Sequence, residues 1–361
     1  MMFKNFYNRF FPIPSFLLAS SFGLDISDQS LKFVKIIAVR GGMKLDKYGE
    51  RNIQPGIIES GKIKDFKKMK EILSSLKKEE NLKSVRVSLP EELIYIYKVK
   101  LKKEELENIR EAIEFSIEEH VPLQVENTIF DYEILNEDMQ NLEVKVTVIQ
   151  KNIVEDYISV FKSSGISVLS FELEAQALAR AIIKNGDLET CMIVDFGEKS
   201  TGISVVSDGS VMFTSTINVG GVMLSNMIQK SLKVTFDEAE KIKKKNGLQH
   251  NDGNKEIFSV LLNGISVLRD EVAKHFLYWH THKDEDGKDH PLIKKIIFCG
   301  GSSNLIELPE YFSAGLKIPV EVANVWVNFI NKKEYIQELS FWQSLSFATA
   351  LGLALGDFHY N

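Results

Sequence analysis

The chain has 361 residues, 44% apolar and 26% charged, with a formal net charge of −6 at pH 7. That length suggests two domains, or one large body with lobes, and is ample to bury a core without disulfides. The negative balance argues against general nucleic-acid binding, no stretch is long and apolar enough to span a bilayer, and Cys191 and Cys299, the two cysteines, sit in apolar strand-like runs and read as buried free thiols of a reducing compartment.

Residues 1–20, "MMFKNFYNRFFPIPSFLLAS", form a tail. Lys4 and Arg9 precede an apolar run, as in a signal peptide, but Pro12 and Pro14 interrupt it, and export is not expected. Phe3, Phe6, Tyr7, Phe10 and Phe11 recur at helical spacing, an aromatic stripe suited to lipid, to a partner or to packing on its own domain. Strands follow at 22–27, 31–40 and 43–53, then a charged helix near 64–80 and a strand from Ser84 to Pro90.

The next section differs in character. "LIYIYKVKL" alternates Leu93, Tyr95, Tyr97 and Val99 on one face with Ile94, Ile96 and Lys98 on the other. A long amphipathic helix over 102–121 is stopped by Pro122, and its carboxylates read as a solvated or partner-facing surface. "NTIFDYEIL" and "EVKVTVIQ" are strands, a helix over 151–164 ends at Gly165, and strand "ISVLSFELE" leads into helix "AQALARAIIKNG".

The second half opens with the strand pair "CMIVDFGEKSTGISVV" and the third strand "SVMFTSTINVGG". Helices are expected near 221–232, 235–245 and 254–281, then strand "KKIIFCGG", a helix over 304–315, strand "PVEVAN" and a terminal helix ending "FATALGLALGD". His280, His282 and His290 flank "KDEDGKD" without any zinc spacing and read as a charged loop. Both halves thus run β-β-β-α-β-α, with extra material inserted in the first, a duplication at the level of elements.

The repeat has a chemical reading. Asp25 aligns with Asp195, followed by "ISDQSLK" and "FGEKSTG". Consecutive backbone N–H groups in such turns form a concave nest for anions, and hydrogen bonds to charged groups are worth about 1.5–3 kcal/mol each. Two such hairpins suit the phosphates of ATP, held from both sides, with Lys32 as an added cation. Asp25 and Asp195 would meet the accompanying Mg²⁺, which binds through few carboxylates and keeps several waters. In "FCGGSSNL", Gly300 and Gly301 let a flat base or ribose approach the backbone.

These motifs together resemble the actin-like ATPase superfamily, and within it the PilM branch of type IV pilus assembly, with FtsA as a cousin. "FGLDISDQSLKFVKI" and "MIVDFGEKSTGISVV" are similar to its two phosphate loops, and "IFCGGSSNLIELPEYFSAGLKIPVEVAN" to its adenosine motif. "FELEAQALARAI" and "FATALGLALG" are similar to its two connecting helices. "TINVGGVMLSNMIQKSLKVTFDEAEKIKKKNG" matches the Gly-Gly helix start and the Ala239-Glu240-x-x-Lys243 segment, and the section from "VRVSLPEE" to "FDYEIL" looks like the inserted 1C subdomain.

The resemblance implies an α/β, actin-like (ribonuclease H-like) fold of duplicated domains. The first lobe would take 21–91 and 166–190, the 1C insertion 92–165, and the second lobe 191–361, its last helix returning to the first. It implies nucleotide contacts from Asp25, Ser27, Asp28, Gln29, Ser30 and Lys32, and from Asp195, Gly197, Lys199, Ser200 and Thr201. Gly220, Gly221, Glu240, Lys243, Gly300, Gly301 and Ser302 would also contact the nucleotide, with Glu240 and Lys243 near the ribose and base. Glu174 stands where the superfamily carries its acidic residue, a catalytic candidate with Gln176 two residues on. One position departs: Ser27 replaces the usual glycine, at a cost if the turn needs positive φ, and Asp28 adds a negative charge. Turnover is therefore expected to be slow or absent.

The same resemblance implies a cytoplasmic adaptor at the inner face of the cytoplasmic membrane, in pilus or type II secretion assembly. Its partner would be the cytoplasmic tail of a PilN-like membrane protein, met by Tyr95 and Tyr97. Pilus assembly ATPases and further copies of the chain are additional candidates. Two alternatives differ in class. An FtsA-like membrane tether would use a C-terminal amphipathic helix, which is not expected in a sequence ending "GDFHYN", so the N-terminal aromatic stripe would be its substitute anchor; a sugar-kinase-type phosphotransferase would need a sugar motif, and none is found.

Overall fold

The computed structural model describes residues 21–39, 42–102, 108–251, 253–283, 287–329 and 338–358. The aromatic tail over 1–20 lies outside them, as does 103–107 of the expected 102–121 helix. The chain divides into two compact units, one of Met1–Ala177, Phe329–Ile336 and Thr349–Asn361, the other of Leu178–Asn328 and Gln337–Ala348.

In the first unit, β1 (Phe22–Ile26), β2 (Ser30–Val39) and β3 (Gly42–Asn52) form an antiparallel meander. A small hairpin follows, β4 (Ile58–Glu59) and β5 (Lys62–Ile63). Its two turn residues, Ser60 and Gly61, both have positive φ, 47° and 71°, the turn whose twist suits a two-residue hairpin. It is absent from the sequence reading, although Ser-Gly is a turn signal.

Helix α1 (Phe66–Glu80) starts at Asp65, whose carboxylate accepts the Lys68 N–H, and stops at Asn81 in the left-handed region. It buries Met69, Leu73 and Leu76, a helical spacing. Then β6 (Ser84–Leu89) enters the sheet parallel to β1.

The insertion is β7 (Ile94–Lys102), α2 (Ile109–His120), β8 (Thr128–Glu137) and β9 (Asn141–Gln150). Its three strands are antiparallel in the order β7-β9-β8. Ile113 and Ile117 of α2 pack against Leu101, Phe130, Val144, Val146 and Val148, a core of its own. Because β7 runs through Lys102, the helix expected from 102 does not begin there. Helix α3 (Lys151–Ser163) returns to the main sheet, burying Tyr157, Val160 and Phe161 with the α1 residues. Strand β10 (Ser167–Leu173) pairs parallel with β6 and leads directly into α4 (Glu174–Ile182). The finished sheet has the order β10-β6-β1-β2-β3.

The second unit repeats this plan with β11 (Cys191–Phe196), β12 (Thr201–Ser207) and β13 (Ser210–Ile217) as the meander. Three helices follow, α5 (Gly221–Leu232), α6 (Phe236–Asn246) and α7 (Lys255–Thr281), then β14 (Lys295–Cys299), α8 (Leu308–Leu316) and β15 (Val320–Val322). Strands β14 and β15 run parallel to β11 and give the order β13-β12-β11-β14-β15. In each sheet the first strand of the meander lies at the centre, flanked by its hairpin partner and by a parallel strand, as the duplicated pattern requires. Cys191 and Cys299 are buried free thiols, and burial pushes the Cys191 thiol up to about 12.

Two expected helices are recast. Gly301–Asn304 is a short 3-10 turn, so the helix expected from 304 starts at Leu308. The terminal helix is broken into α9 (Phe341–Ser344), a 3-10 turn at Leu345–Phe347, α10 (Ala348–Leu355) and a further 3-10 turn at Gly356–Phe358.

Candidate functional site

In the second unit three backbone segments meet with no room for side chains. The turn after Asp195 is closed by the Gly197 N–H, bonded to the Ser200 carbonyl at 3.0 Å. The start of α5 lies on that turn: Gly221 N–H donates to the Gly197 carbonyl at 3.0 Å and Val222 N–H to the Glu198 carbonyl at 2.9 Å. The Ser302 hydroxyl donates to the same Gly197 carbonyl at 2.8 Å. A Cβ on Gly220 would stand 2.4 Å from the Glu198 carbonyl oxygen, and one on Gly221 2.2 Å from Ser302 Oγ. Gly300 has φ +88°, and a Cβ there would stand 2.3 Å from the Asp195 carboxylate. Glycine is required at each for a close approach, and at Gly300 also for conformation. Gly221 and Ser302 thus share the Gly197 carbonyl, and Gly220 and Gly300 pack closely against the same turn, so that three separate stretches of the chain form one floor beside Asp195, with Gly301 in the same loop.

Helix α6 braces this floor. A capping box of Thr235 and Glu238 starts it. The buried Lys243 ammonium then donates to the Gly221 carbonyl at 2.9 Å, to Ser225 Oγ at 2.8 Å and to the Glu240 carboxylate. Burial pushes Lys243 below the ordinary ammonium value. Burial also pushes the Glu240 carboxyl up, but hydrogen bonds from Lys243 and Ser225 outweigh it and hold the group below the usual carboxylate range. Lys243 is therefore a strut beneath Gly221. Thr201 is buried, its hydroxyl donated to the Val219 carbonyl at 2.6 Å. Lys199 instead borders a cavity of about 380 Å³ whose wall is Val222, Met223, Asn226, Met227 and Lys230 of α5.

In the first unit Asp25 lies across from Lys32 in the β1–β2 pairing and accepts a hydrogen bond from Ser88 Oγ at 3.0 Å. Burial pushes its carboxyl above the ordinary range, opposed by the Lys32 charge and the Ser88 hydroxyl. Lys32 Nζ is also 3.8 Å from Glu50. The turn beyond is tight: Ser27 N–H donates to the Ser30 carbonyl at 2.9 Å, and Ser30 N–H to Ser27 Oγ at 3.2 Å. Ser27 is not among the positive-φ residues, so serine carries no left-handed strain where glycine is usual. The Gln29 carbonyl accepts the Ile53 N–H at 2.7 Å.

Asp28 has a role that the sequence reading did not foresee. Its two carboxylate oxygens accept the N–H groups of Ser60 and Gly61, at 3.0 and 3.1 Å, and so clamp the β4–β5 hairpin. The buried Tyr157 hydroxyl donates to the Gly61 carbonyl at 3.0 Å from the other side. Burial pushes Tyr157 far above the ordinary phenol value, and the charges of Glu174, Asp28, Glu92 and Asp25 add to it. Glu174 opens α4, whose next N–H, that of Ala175, is capped by the Glu91 carboxylate at 2.8 Å.

The two tyrosines of β7 separate. Tyr97 is inward: its hydroxyl meets Ser116 Oγ at 2.9 Å and its ring stacks on His120 with centroids 4.3 Å apart. Tyr95 is 38% exposed. The histidines near the end of α7 are tied to the fold, His280 Nε2 accepting the Ile293 N–H at 3.2 Å and His290 stacking on Trp279. Sequence reasoning missed Ser88, Glu91, Tyr157 and Ser225. Only Ser225, one helical turn after Gly221, carried a usable signal in its spacing.

The family model described as type IV pilus assembly protein PilM matches residues 23–358. FtsA, a cell division protein, is 21% identical over 230 residues in Staphylococcus epidermidis, 58% of this chain and 48% of that protein. FtsA of Bacillus subtilis is 29% identical over 128 residues, 34% of this chain and 29% of that protein. The chain thus spans about half or less of the length of these curated relatives. Among solved structures, a PilM–PilN type IV pilus biogenesis complex superposes with a TM-score of 0.75 at 18% identity, covering 94% of this chain and 99% of that one. MreB5 of Spiroplasma citri bound to ADP gives 0.55 at 15% identity, covering 92% and 94%. These likenesses show an actin-like fold. Among the described residues no helix is long and apolar enough to cross a membrane.

Proposed function

The chain belongs to the type IV pilus assembly protein PilM family, and from that premise we propose that it is a nucleotide-binding adaptor of pilus assembly or of a related type II secretion system. It holds ATP with Mg²⁺ and takes the cytoplasmic tail of a PilN-like inner-membrane protein at the inner face of the membrane. The observation that carries the nucleotide is the floor of the second unit, where a Cβ at Gly220, Gly221 or Gly300 would occupy space that backbone, the Ser302 hydroxyl and the Asp195 carboxylate respectively already fill. A surface stripped of side chains and lined with backbone dipoles suits a phosphate chain and ribose.

ATP would supply the negative charge that the turn backbone and the neighbouring lysines meet. The chain's own residues do the rest. In the second unit Gly197 and Gly300 allow close approach, Ser200 and Ser302 offer backbone and Lys199 offers charge; in the first unit Lys32 offers charge. Asp195 in the second unit, and Asp25 in the first, are the carboxylates that would meet Mg²⁺, through water. Glu240 and Lys243 set the position of Gly221. Binding to the folded state alone stabilises it by about 2.7 kcal/mol at a hundredfold excess over Kd, so the ligand acts as a structural element. Turnover is slow, with Glu174 as the residue that would orient water.

The partner peptide enters in extended form at the margin of the β7-β9-β8 sheet, where Tyr95 is exposed, by strand addition or by filling side-chain pockets. Calorimetry with ATP, with and without Mg²⁺, tests the ligand: binding strengthened by Mg²⁺ is expected, and no heat and no thermal shift at millimolar ATP rejects it. A pull-down with a PilN-like N-terminal peptide tests the partner, and undiminished capture by Tyr95→Ala moves the site elsewhere.

A further inference from the structure

Beside the glycine floor stands an aromatic edge that none of the motifs includes. Phe341 and Trp342 open α9, their ring centroids 5.1 Å apart and nearly perpendicular. They are 40% and 54% exposed. Their backbone is nonetheless held firmly. Asn304 Nδ2 donates to the Trp342 carbonyl at 3.1 Å and to the Gly301 carbonyl at 3.2 Å. Gly300 N–H donates to the Leu345 carbonyl at 3.3 Å, and a Cβ on Gly301 would stand 3.4 Å from Ser346 Cβ. Ser340 and Gln343 close a capping box around the short helix.

The Asn304 amide can stand only one way round, since its oxygen would otherwise face two carbonyl oxygens. In that orientation its Oδ1 is buried and takes no donor among the described residues. A buried acceptor without a donor costs free energy. What the position yields in return is a fixed distance between the Gly301 loop and the carbonyl of Trp342.

Two chemistries then lie side by side in the second unit. The floor around Gly197, Gly221 and Gly300 is polar backbone, fit for phosphate and sugar. The edge is a large, rigid, exposed π surface, fit for a planar heteroaromatic ring. One ligand class carries both parts, a nucleoside phosphate.

We propose that Trp342 is the platform on which the nucleotide's base stacks, with Asn304 as the positioning residue that holds it beside Gly301. This rests on the nucleotide reading above and adds to it the means of base recognition. Phosphate recognition does not depend on the platform, so the two can be separated.

The experiment titrates the full chain with Mg-ATP and, separately, with Mg-triphosphate lacking any nucleoside, by calorimetry and by tryptophan fluorescence. Trp342→Ala is expected to weaken ATP about ten- to a hundredfold, the usual worth of one base–aromatic stack, and to leave inorganic triphosphate unchanged. Trp342→Phe keeps an aromatic face and retains most of the ATP affinity, which guards against a variant that merely misfolds. Asn304→Ala weakens ATP but not triphosphate, and diminishes the change in emission that ATP produces in the wild type. Equal ATP affinity in wild type and Trp342→Ala overturns the platform while leaving the nucleotide reading in place, as does an equal loss for ATP and triphosphate. A wild-type chain that takes triphosphate with no preference for ATP also overturns it, and one that takes neither ends both readings.

Discussion

Asp25 sits where the fold leaves its charge little solvent. Its folded value is raised above the ordinary 3.8, with burial as the largest cause. Below about pH 4 the carboxyl is protonated both folded and unfolded, and burial costs nothing. As pH rises through the folded value, the unfolded chain releases the proton more readily and the native state loses stability. Asp25→Asn keeps an acceptor for Ser88 and removes the buried charge. It is expected to match the wild type near pH 4 and to melt roughly 2–4 °C higher at pH 8, while weakening Mg²⁺-dependent ATP binding. Thermal melts across that range check it; a wild type more stable at pH 8 would mean that the Lys32 pairing outweighs burial. Ser27 and Asp28 teach a related lesson. An acidic residue in a phosphate-type turn suggests repulsion, yet both oxygens of Asp28 are engaged by the β4–β5 hairpin.

Two elements owe their places to what glycine lacks or to what one side chain covers. Helix α10 lies directly on the backbone of β1 and of α4. A Cβ on Gly352 would stand 1.8 Å from the Ala177 carbonyl oxygen, and one on Gly23 2.0 Å from that of Ala350. Gly352→Ala must therefore lift the helix, at a cost of about 3 kcal/mol or more, seen as an early melt of the full chain. In the inserted sheet α2 covers Tyr97 and leaves Tyr95 at its margin. Tyr97→Ala removes the stack on His120 and a part-buried hydroxyl contact, and is expected to destabilise by about 2–3 kcal/mol. Tyr95→Ala is expected to stay within about 0.5 kcal/mol of wild type. Denaturant titration separates them, and Tyr95 is consequently the cleaner probe of partner binding.

At the scale of the whole molecule, Asp357 near the end of the described residues is tied to Ser21 and Arg86. Arg86 Nε donates to Asp357 at 2.9 Å, and its guanidinium also reaches Ser170 at 3.0 Å and Glu172 at 3.3 Å. The Ser21 N–H and hydroxyl donate to the other Asp357 oxygen at 2.8 and 2.7 Å. Asp357→Ala removes one carboxylate partner of the part-buried Arg86 guanidinium, which keeps Glu172, and the acceptor of Ser21; it is expected to cost about 1–3 kcal/mol, read as lost hydrogen-exchange protection along β1, β6 and β10. The sequence by itself determined the duplicated β-β-β-α-β-α order, most of the strands and helices, though not the β4–β5 hairpin or the breaks in the last helix, and the two aspartate turns with the Gly300-Gly301 loop. Those are local: alternation at Leu24 and Ile26, helical spacing at Met69, Leu73 and Leu76, and turn residues are each written within a few positions. Only the tertiary structure decided which of them meet. The Asp28 clamp on Ser60, the Glu91 cap on Ala175, the Lys243 strut under Gly221 and the Asn304 bridge to Trp342 join residues 32, 84, 22 and 38 positions apart. Nothing in the neighbourhood of either partner encodes such a pair, because its free energy exists only once the sheets and helices have packed.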